Sequence, residues 1–370
     1  MASFISTKIA IPLFCICLAA TACTSNESST STNEGSETLP QIVVTTSIWG
    51  DVVSNIACDG LANVEVLIPN GADPHTFELS LTDRQLMEDA DLLVSNGLSL
   101  EEGMVDTLDE ISSSGKPIFQ FTDHIELLSI DDKDDDHSDE SDHKDEEEHE
   151  DHSDEIDHSD ESDHEDEEDH EDDDHSDESN HEDEEGHDDD HDHSGSDPHV
   201  WLSPISVSDS LDELASEIKT NLDLDNSKLD KCVEDYQALI TQTDSEIQAS
   251  VETLPVENRK LITNHDAFSY YAERYGFEAV GVVIPSPSDL AETNPAQLQK
   301  LADIINEEEV KAIFAESQHS DDDAQALARE VGNIDVVTLY SGTLGEEGSG
   351  ADTYIGYLET NTKLIVDALE

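Results

Sequence analysis

From residue 41 onward, the hydrophobic pattern alternates between short β-branched runs and longer stretches with helical spacing. The short runs predict strands, and the amphipathic stretches predict helices. Ahead of residue 131 the predicted strands are 42–45, 64–68, 92–95 and 118–121, and the predicted helices are 48–57, 82–90 and 100–112. Alternation at this spacing is typical of βα units that build a parallel sheet.

The same alternation returns in the last third of the chain. Its predicted strands are 260–263, 278–283, 311–315 and 336–339, and its predicted helices are 268–275, 295–306, 321–331 and a final one from 353. Ser203-Pro204 predicts the start of a helix that runs to 221. Apolar positions then keep helical spacing from Leu229 to Val251, with no Gly or Pro until Pro255. A helix of ~25 residues is about 38 Å long, enough to connect two lobes.

These patterns predict an α/β protein with two similar lobes, each with a parallel four-stranded sheet, joined by one long helix. We expect a signal peptide at 1–23, a flexible tether at 24–38, a first lobe at 39–225, a linking helix at 226–255 and a second lobe at 256–370. The first lobe is interrupted at 131–196 by a loop of unusual composition.

The N-terminus has the pattern of a secretion signal. Lys8 is followed by an apolar stretch, 9–22, that is shorter than the ~20 residues of a membrane span. The segment Leu-Ala-Ala-Thr-Ala-Cys resembles a bacterial lipoprotein signal and predicts lipidation of Cys23, although Ala20 stands where Leu is usual. Cleavage to a freely soluble secreted protein is the alternative.

The chain is strongly acidic, with a formal net charge of −78. Outside 131–193, 54 acidic and only 13 basic residues remain. Such a surface repels nucleic acid and anionic lipid, so we expect neither as a partner. In the mature body Cys58 and Cys232 are compatible with a disulfide or with two buried thiols, and the lack of a Cys-x-x-Cys pair argues against a thiolate metal site.

The interrupting loop is rich in metal-ligating side chains. Residues 131–193 contain 39 Asp/Glu, 12 His and two Lys. The histidines are His137, His143, His149, His152, His158, His164, His170, His175, His181, His187, His191 and His193. With so few apolar residues the tract should be disordered, and its His-rich composition indicates accessory metal binding. It could collect zinc, sense or buffer zinc, or simply be a solvated acidic loop; a histidine roughly every six residues favours metal contact.

The other five histidines are sparse enough to be placed individually. In open α/β sheets, ligands bind beyond the carboxyl ends of strands. His75 follows a predicted strand of the first lobe, His265 follows the first strand of the second lobe, and His199 lies where the chain returns from the acidic tract. With Asp352, just before the final helix, they would form a closed four-coordinate shell suited to zinc. For His124 and His319 we expect a structural or surface role.

Four motifs around these residues resemble the metal-binding motifs of the cluster A-I solute-binding proteins of ABC importers. They are Pro-His-Thr-Phe-Glu at 74–78, Pro-His-Val-Trp-Leu-Ser-Pro at 198–204, His-Asp-Ala-Phe at 265–268 and Asp-Thr-Tyr-Ile-Gly at 352–356. The resemblance covers 41–370 apart from the insert. It implies two lobes joined by a rigid helix, a metal site in the cleft, and His75, His199, His265 and Asp352 as ligands. Water or an acidic neighbour of the first histidine is an alternative fourth ligand.

The resemblance also implies the metal and the partner. Manganese-type members have a carboxylate at the third ligand position, where this chain has His265, and a nitrogen donor shifts preference from Mn²⁺ toward Zn²⁺. We therefore predict a monomeric zinc-type receptor outside the cytoplasmic membrane, lipid-anchored, that delivers Zn²⁺ to an ABC permease. A closed shell lacks the open position of catalytic zinc, so we expect no enzyme. The alternatives are a manganese or iron receptor of the same fold, or a zinc-storage or adhesion lipoprotein.

Overall fold

The computed structural model describes residues 39–129, 195–284, 295–332 and 334–370. The predicted signal peptide and tether, Cys23, and all twelve tract histidines lie outside these residues. Within them, no helix combines the length and the apolar content that a membrane crossing requires.

The first lobe contains a parallel four-stranded sheet with the strand order β2-β1-β3-β4. The strands are β1 (Gln41–Val44), β2 (Asn63–Val66), β3 (Leu92–Ser95) and β4 (Ile118–Gln120). Helices α1 (Ser47–Ile56), α2 (Leu81–Asp89) and α3 (Val105–Ser113) connect them. The short β-branched runs therefore form the strands that they predicted.

The second lobe repeats this topology with the order β6-β5-β7-β8, again with every pairing parallel. Its strands are β5 (Lys260–Thr263), β6 (Glu278–Val282), β7 (Ala312–Glu316) and β8 (Asp335–Leu339). Its helices are α6 (Ser269–Tyr275), α7 (Pro295–Glu307), α8 (Asp322–Glu330) and α9 (Tyr354–Leu369). The predicted architecture of two similar parallel four-stranded lobes is confirmed.

The two faces of each sheet pack into different cores because successive side chains of a strand point in opposite directions. In β1, Ile42 and Val44 join a core that extends through both lobes, whereas Val43 packs outward under α2 and α3. In the second lobe, Leu261 joins the shared core and Ile262 packs under α7 and α8. Because both faces are covered, these strands are nearly continuous apolar runs.

Two further helices, α4 (Pro204–Asn221) and α5 (Asn226–Val251), contribute to the shared core. Helix α5 has 26 residues, and the Asp225 side chain caps its N-terminus. A disulfide joins its first half to the first lobe, between Cys58 and Cys232 with a Cα–Cα distance of 6.1 Å. In its second half the buried Asp244 accepts hydrogen bonds from Arg274 and Tyr275 of α6. The long connecting helix is confirmed, and of the two cysteine alternatives the structure shows the disulfide.

Candidate metal centre

Three of the four predicted ligands meet between the lobes. His75, His199 and His265 each offer a ligand atom, and these atoms lie within 4.8 Å of one another. All three side chains are buried, with exposures of 4%, 0% and 1%. His75 lies in the loop after β2, His265 lies two residues beyond β5, and His199 precedes a short 3-10 turn. Since the carboxyl ends of parallel strands share one sheet edge, the loops at that edge of each lobe reach the same point.

The His199 imidazole is oriented by a carboxylate two residues earlier in the chain. Asp197 Oδ1 lies 2.7 Å from His199 Nδ1 and also accepts the His199 backbone N–H at 2.9 Å. A carboxylate can only accept, so Nδ1 carries the hydrogen. With Nδ1 as the donor to Asp197, Nε2 is the ring atom that remains to bind a metal ion.

The His265 imidazole is oriented in the same way by a carboxylate from the neighbouring strand. Glu316, the last residue of β7, has Oε1 at 2.6 Å from His265 Nδ1 and at 3.1 Å from the His265 backbone nitrogen. Its other oxygen accepts hydrogen bonds from Ser341 Oγ and Gln318 Nε2. Glu316 is 2% exposed, so this support is held in place by the fold.

The two oriented imidazoles face one another, with 3.1 Å between His199 Nε2 and His265 Nε2. Two lone pairs at this distance repel each other unless a cation lies between them. The separation is close to the ~3.3 Å between two nitrogens bound to one tetrahedral zinc at Zn–N distances of about 2.0–2.1 Å. These residues therefore fit a divalent cation bound to nitrogen.

His75 completes the cluster from the first lobe. Its ring centroid lies 5.6 Å from that of His199 and 5.7 Å from that of His265. The Asp73 side chain accepts the His75 backbone N–H at 2.9 Å and so fixes the turn that carries the ring. Glu102 Oε1 lies 3.7 Å from His75 Nδ1.

The fourth predicted ligand, Asp352, is not brought into this cluster. Its Oδ2 accepts the Gly348 N–H at 2.8 Å, within a loop that is closed on itself by the backbone hydrogen bond from Gly345 to Ala351. Another residue of the same segment, Gly342, packs near the site. A Cβ at Gly342 would lie 3.0 Å from Pro74, which precedes His75, but glycine has no side chain to ligate a metal.

The loops that hold the cluster are hydrogen-bonded to each other across the lobes. Gly71 donates its N–H to Thr343 Oγ1 at 2.9 Å, and Asn70 Nδ2 donates to Gly345 O at 2.8 Å. The Leu344 N–H is donated to Ser47 Oγ at 3.0 Å. Both lobes thus fix the position of the turn that carries His75.

The residues on either side of the histidine-rich tract, 131–193, meet beside His199. Ser129 precedes the tract and Ser196 follows it, and the two form an isolated antiparallel bridge. Tyr270 of α6 donates its hydroxyl to Asp197 O at 3.0 Å and accepts the Leu128 N–H at 3.0 Å. Burial raises the pKa of Tyr270 to about 12, so the hydroxyl stays protonated and available as a donor at neutral pH. The segment that orients His199 therefore starts at the base of the insert.

Sequence reasoning missed the three carboxylates beside the histidines. Asp266, the acidic residue directly after His265, instead accepts a hydrogen bond from Ser269 Oγ at 2.8 Å, beside the start of α6. Asp197 could have been identified as a candidate partner, because it lies two residues before the predicted ligand His199. For Glu316 the sequence offered only a general indication, since it is an acidic residue at the end of β7, the strand next to β5. His124 stacks on Phe119, away from the cluster, with 4.5 Å between ring centroids.

A two-lobed α/β protein with three buried, inward-facing imidazoles between its lobes has the arrangement of a metal-binding protein and shows a ligand set that suits a transition-metal ion. The family profile described as zinc-uptake complex component A, periplasmic, matches residues 42–368. The chain belongs to this family of metal-transport substrate-binding proteins.

Relatives with different named metals cover most of the chain. It is 25% identical over 342 residues to the manganese-binding lipoprotein MntA of Halalkalibacterium halodurans, covering 92% of this chain and 91% of that protein. It is 24% identical over 338 residues to the zinc-binding protein TroA of Treponema pallidum, covering 89% of each. The solved structure of the T. pallidum protein superposes with a TM-score of 0.66 at 23% identity, over 90% of this chain and 99% of that one. At this identity the superposition demonstrates the shared fold.

Proposed function

We propose that this protein captures Zn²⁺ outside the cytoplasmic membrane with His75, His199 and His265 and delivers it to an ABC-type importer. The observation that carries the proposal is the pair of carboxylate-backed imidazoles, whose Nε2 atoms are 3.1 Å apart. Their geometry suits two nitrogens on one zinc ion, and the loop with His75 supplies a third nitrogen from the opposite lobe. We assign a receptor role and no catalysis because the chain belongs to a family of metal-transport substrate-binding proteins.

The choice of zinc rests on the donor atoms. Among the described residues the cluster consists of three imidazoles, without a carboxylate in the group. Imidazole suits Zn²⁺, whereas Mn²⁺ is better matched by carboxylate, carbonyl and water oxygens. An all-nitrogen set of this kind should therefore bind zinc more tightly than manganese.

For the fourth coordination position we propose water in the arrangement described here. Asp352 was predicted for this position, but its Oδ2 accepts the Gly348 N–H and Asp352 is not part of the three-histidine group. Zinc with three protein nitrogens and one oxygen keeps its preferred tetrahedral geometry in either case.

Manganese is the second candidate, because the chain is similar over 92% of its length to a relative named as a manganese-binding lipoprotein. Zinc binds more tightly than manganese to most nitrogen and oxygen sites, so the decisive outcome of a competition titration is retention of Mn²⁺. We expect Zn²⁺ to displace bound Mn²⁺ at equimolar concentration, and a protein that keeps Mn²⁺ under these conditions would contradict the zinc assignment.

Cys23 as a lipid anchor and an ABC permease as the receiving partner belong to the same proposal. Relatives with the word lipoprotein in their names support the anchor. Metabolic labelling with a fatty acid, compared between the full chain and Cys23→Ser, tests it. Equal labelling of both proteins would contradict lipidation at Cys23.

We further propose that the histidine-rich tract collects zinc for the cluster through weak sites held at high effective concentration. The bridge between Ser129 and Ser196 supports this, because these two residues lie on either side of the tract and Ser196 directly precedes Asp197, which holds His199. Zinc stoichiometry of the full chain and of a deletion of 131–193 tests it. One tight site should survive the deletion and several weaker sites should disappear; unchanged stoichiometry above one would contradict the tract's role.

The experiment for the cluster itself is a double substitution, His199→Ala with His265→Ala, made in the deletion background so that tract sites do not contribute. We expect the tight zinc site to be lost. His124→Ala is the matched control, because His124 is a histidine of the same fold that stacks on Phe119 away from the cluster. Retention of tight zinc by the double variant would overturn the proposed function.

A further inference from the structure

Each histidine of the cluster has a carboxylate against its Nδ1 atom. The distances are 2.7 Å for Asp197 to His199, 2.6 Å for Glu316 to His265 and 3.7 Å for Glu102 to His75. The first two pairs leave Nε2 directed at the other imidazole of the cluster. The third separation is longer than a hydrogen bond, but it again pairs a carboxylate with the Nδ1 atom of a cluster histidine.

The Glu102 pair differs from the other two in its exposure to solvent. The side chains of Asp197 and Glu316 are 4% and 1% exposed, whereas that of Glu102 is 37% exposed. A contact between an imidazole and a carboxylate is weaker in contact with water than when it is buried, because the surrounding dielectric is higher. The contact between Glu102 and His75 is therefore the weakest of the three carboxylate contacts.

The backbone around Glu102 is built to place this residue. Gly97, Leu98 and Ser99 have consecutive positive φ angles of 94°, 51° and 55°, an arrangement that non-glycine residues seldom adopt. This turn brings the buried Glu101 carboxylate onto the Asn96 N–H at 2.9 Å. The chain is thereby anchored immediately before Glu102.

The chain is also anchored immediately after Glu102. A Cβ added at Gly103 would lie 2.4 Å from the carbonyl oxygen of Phe77, two residues beyond His75. Only glycine allows the two backbones to approach this closely. The segment with Glu102 is thus packed directly against the turn with His75. The 3.7 Å contact follows from the hydrogen bond of Glu101 on one side of Glu102 and the close packing of Gly103 on the other.

We propose that Glu102 is a positioning residue for His75 and that it controls the rate at which the bound ion leaves. This inference rests on the proposed function of the three-histidine cluster. When His75 binds the ion through Nε2, its Nδ1–H is donated to the Glu102 carboxylate, which orients the ring and strengthens it as a ligand. Because this pair is open to solvent, His75 is the first ligand to separate from the ion.

The test compares zinc release from the full-length protein and from Glu102→Gln, each loaded with half an equivalent of zinc and mixed with excess chelator. Loss of an outer partner of a metal ligand typically lowers affinity 10–100-fold, and for this exposed pair we expect a release rate about tenfold faster. Glu102→Asp, which keeps the carboxylate, should recover part of the effect. Asp106→Asn, an exposed acidic residue on α3, is the control and should match the wild type.

A double-mutant cycle with His75→Ala separates positioning from a general structural effect. Glu102→Gln should accelerate release in the wild type and leave it unchanged in His75→Ala, since the group it positions is then missing. Equal acceleration in both backgrounds, or release from Glu102→Gln at the wild-type rate, would overturn the proposal. So would X-ray absorption showing that Glu102→Gln loses an oxygen from the zinc shell, because Glu102 would then be a ligand.

The two proposals fail in different ways. Tight zinc binding that survives substitution of both His199 and His265 would overturn the proposed function. Tight binding that depends on those histidines, with release unaffected by Glu102→Gln, would overturn only the role of Glu102.

Discussion

The two lobes have the same strand order, yet only one of two equivalent strands is followed by a metal ligand. In the second lobe the strand β5 ends at Thr263, and the ligand His265 follows two residues later. In the first lobe the equivalent strand β1 ends at Val44, and the residue two positions later, Thr46, caps helix α1 by accepting the Trp49 N–H. The first lobe places its ligand, His75, after the edge strand β2 instead.

The supports of the ligands differ in the same way. In the second lobe Glu316, at the end of β7, holds His265 from the adjacent strand. In the first lobe Asn96, just after the equivalent strand β3, holds the Pro198 carbonyl, next to His199, at 2.9 Å. The topology provides a sheet edge where a ligand can lie, whereas the side chains determine which strand supplies the ligand. A ligand held by strand ends should also contribute more affinity than one held by a turn.

The sharpest test of this comparison replaces the ligands one at a time. If about 10–16 kcal/mol of zinc binding is shared among four ligands, each accounts for about 2.5–4 kcal/mol, or roughly 70- to 900-fold in affinity. We expect His265→Ala to show a loss of this size and His75→Ala to show a loss about tenfold smaller. Competition with a chelating dye measures both in the tract deletion, and equal losses would contradict the difference between the lobes.

The disulfide between Cys58 and Cys232 tests how helix α5 is attached to the first lobe. Replacing both cysteines with serine should lower the free energy of unfolding by about 2–4 kcal/mol, because a covalent crosslink over 174 residues restricts the unfolded chain. Denaturant titration of the zinc-free protein measures the change. Zinc affinity should stay within about twofold, since the disulfide is not among the contacts of the cluster; a large loss of affinity would show that it also shapes the site.

The buried carboxylate of the second lobe is expected to matter more than the exposed carboxylate of the first. Glu316→Gln should weaken zinc binding about 10–100-fold, because a neutral amide orients and strengthens His265 less well than the carboxylate. Calorimetry of Glu316→Gln beside Glu102→Gln measures the contrast. If Glu102→Gln lost more zinc affinity than Glu316→Gln, the expectation that the buried carboxylate matters more would be wrong.

The smallest effect is expected at Asp352. Its carboxylate bonds to Gly348 and is not in the cluster, so Asp352→Asn should change zinc affinity by less than about threefold, as for most surface substitutions. The same titration as for the histidine variants measures it. A loss as large as that of His75→Ala would show that the loop rearranges on binding and that the second lobe supplies two ligands.

Much of the fold was readable because it depends on local patterns. The β-branched runs formed the strands, and the long apolar spacing from Leu229 to Val251 formed α5. One local prediction differed: the helix expected at 100–112 begins only at Val105. The left-handed turn at 97–99 and the use of Glu101 as a buried acceptor delay its start, and neither has a periodic signature in the sequence.

The alternation of strands and helices and the three ligands His75, His199 and His265 can be read along the chain, because strand ends and rare histidines are local features. The side chains that surround these histidines are defined by the tertiary fold. Glu316 meets His265 from 51 residues away, and the segment of Glu102 meets the turn of His75 through a backbone contact that requires Gly103. It also left Asp352 outside the cluster. The physical reason is that orientation and burial of a ligand depend on groups from adjacent strands and packed loops, whose proximity exists only after the lobes have folded.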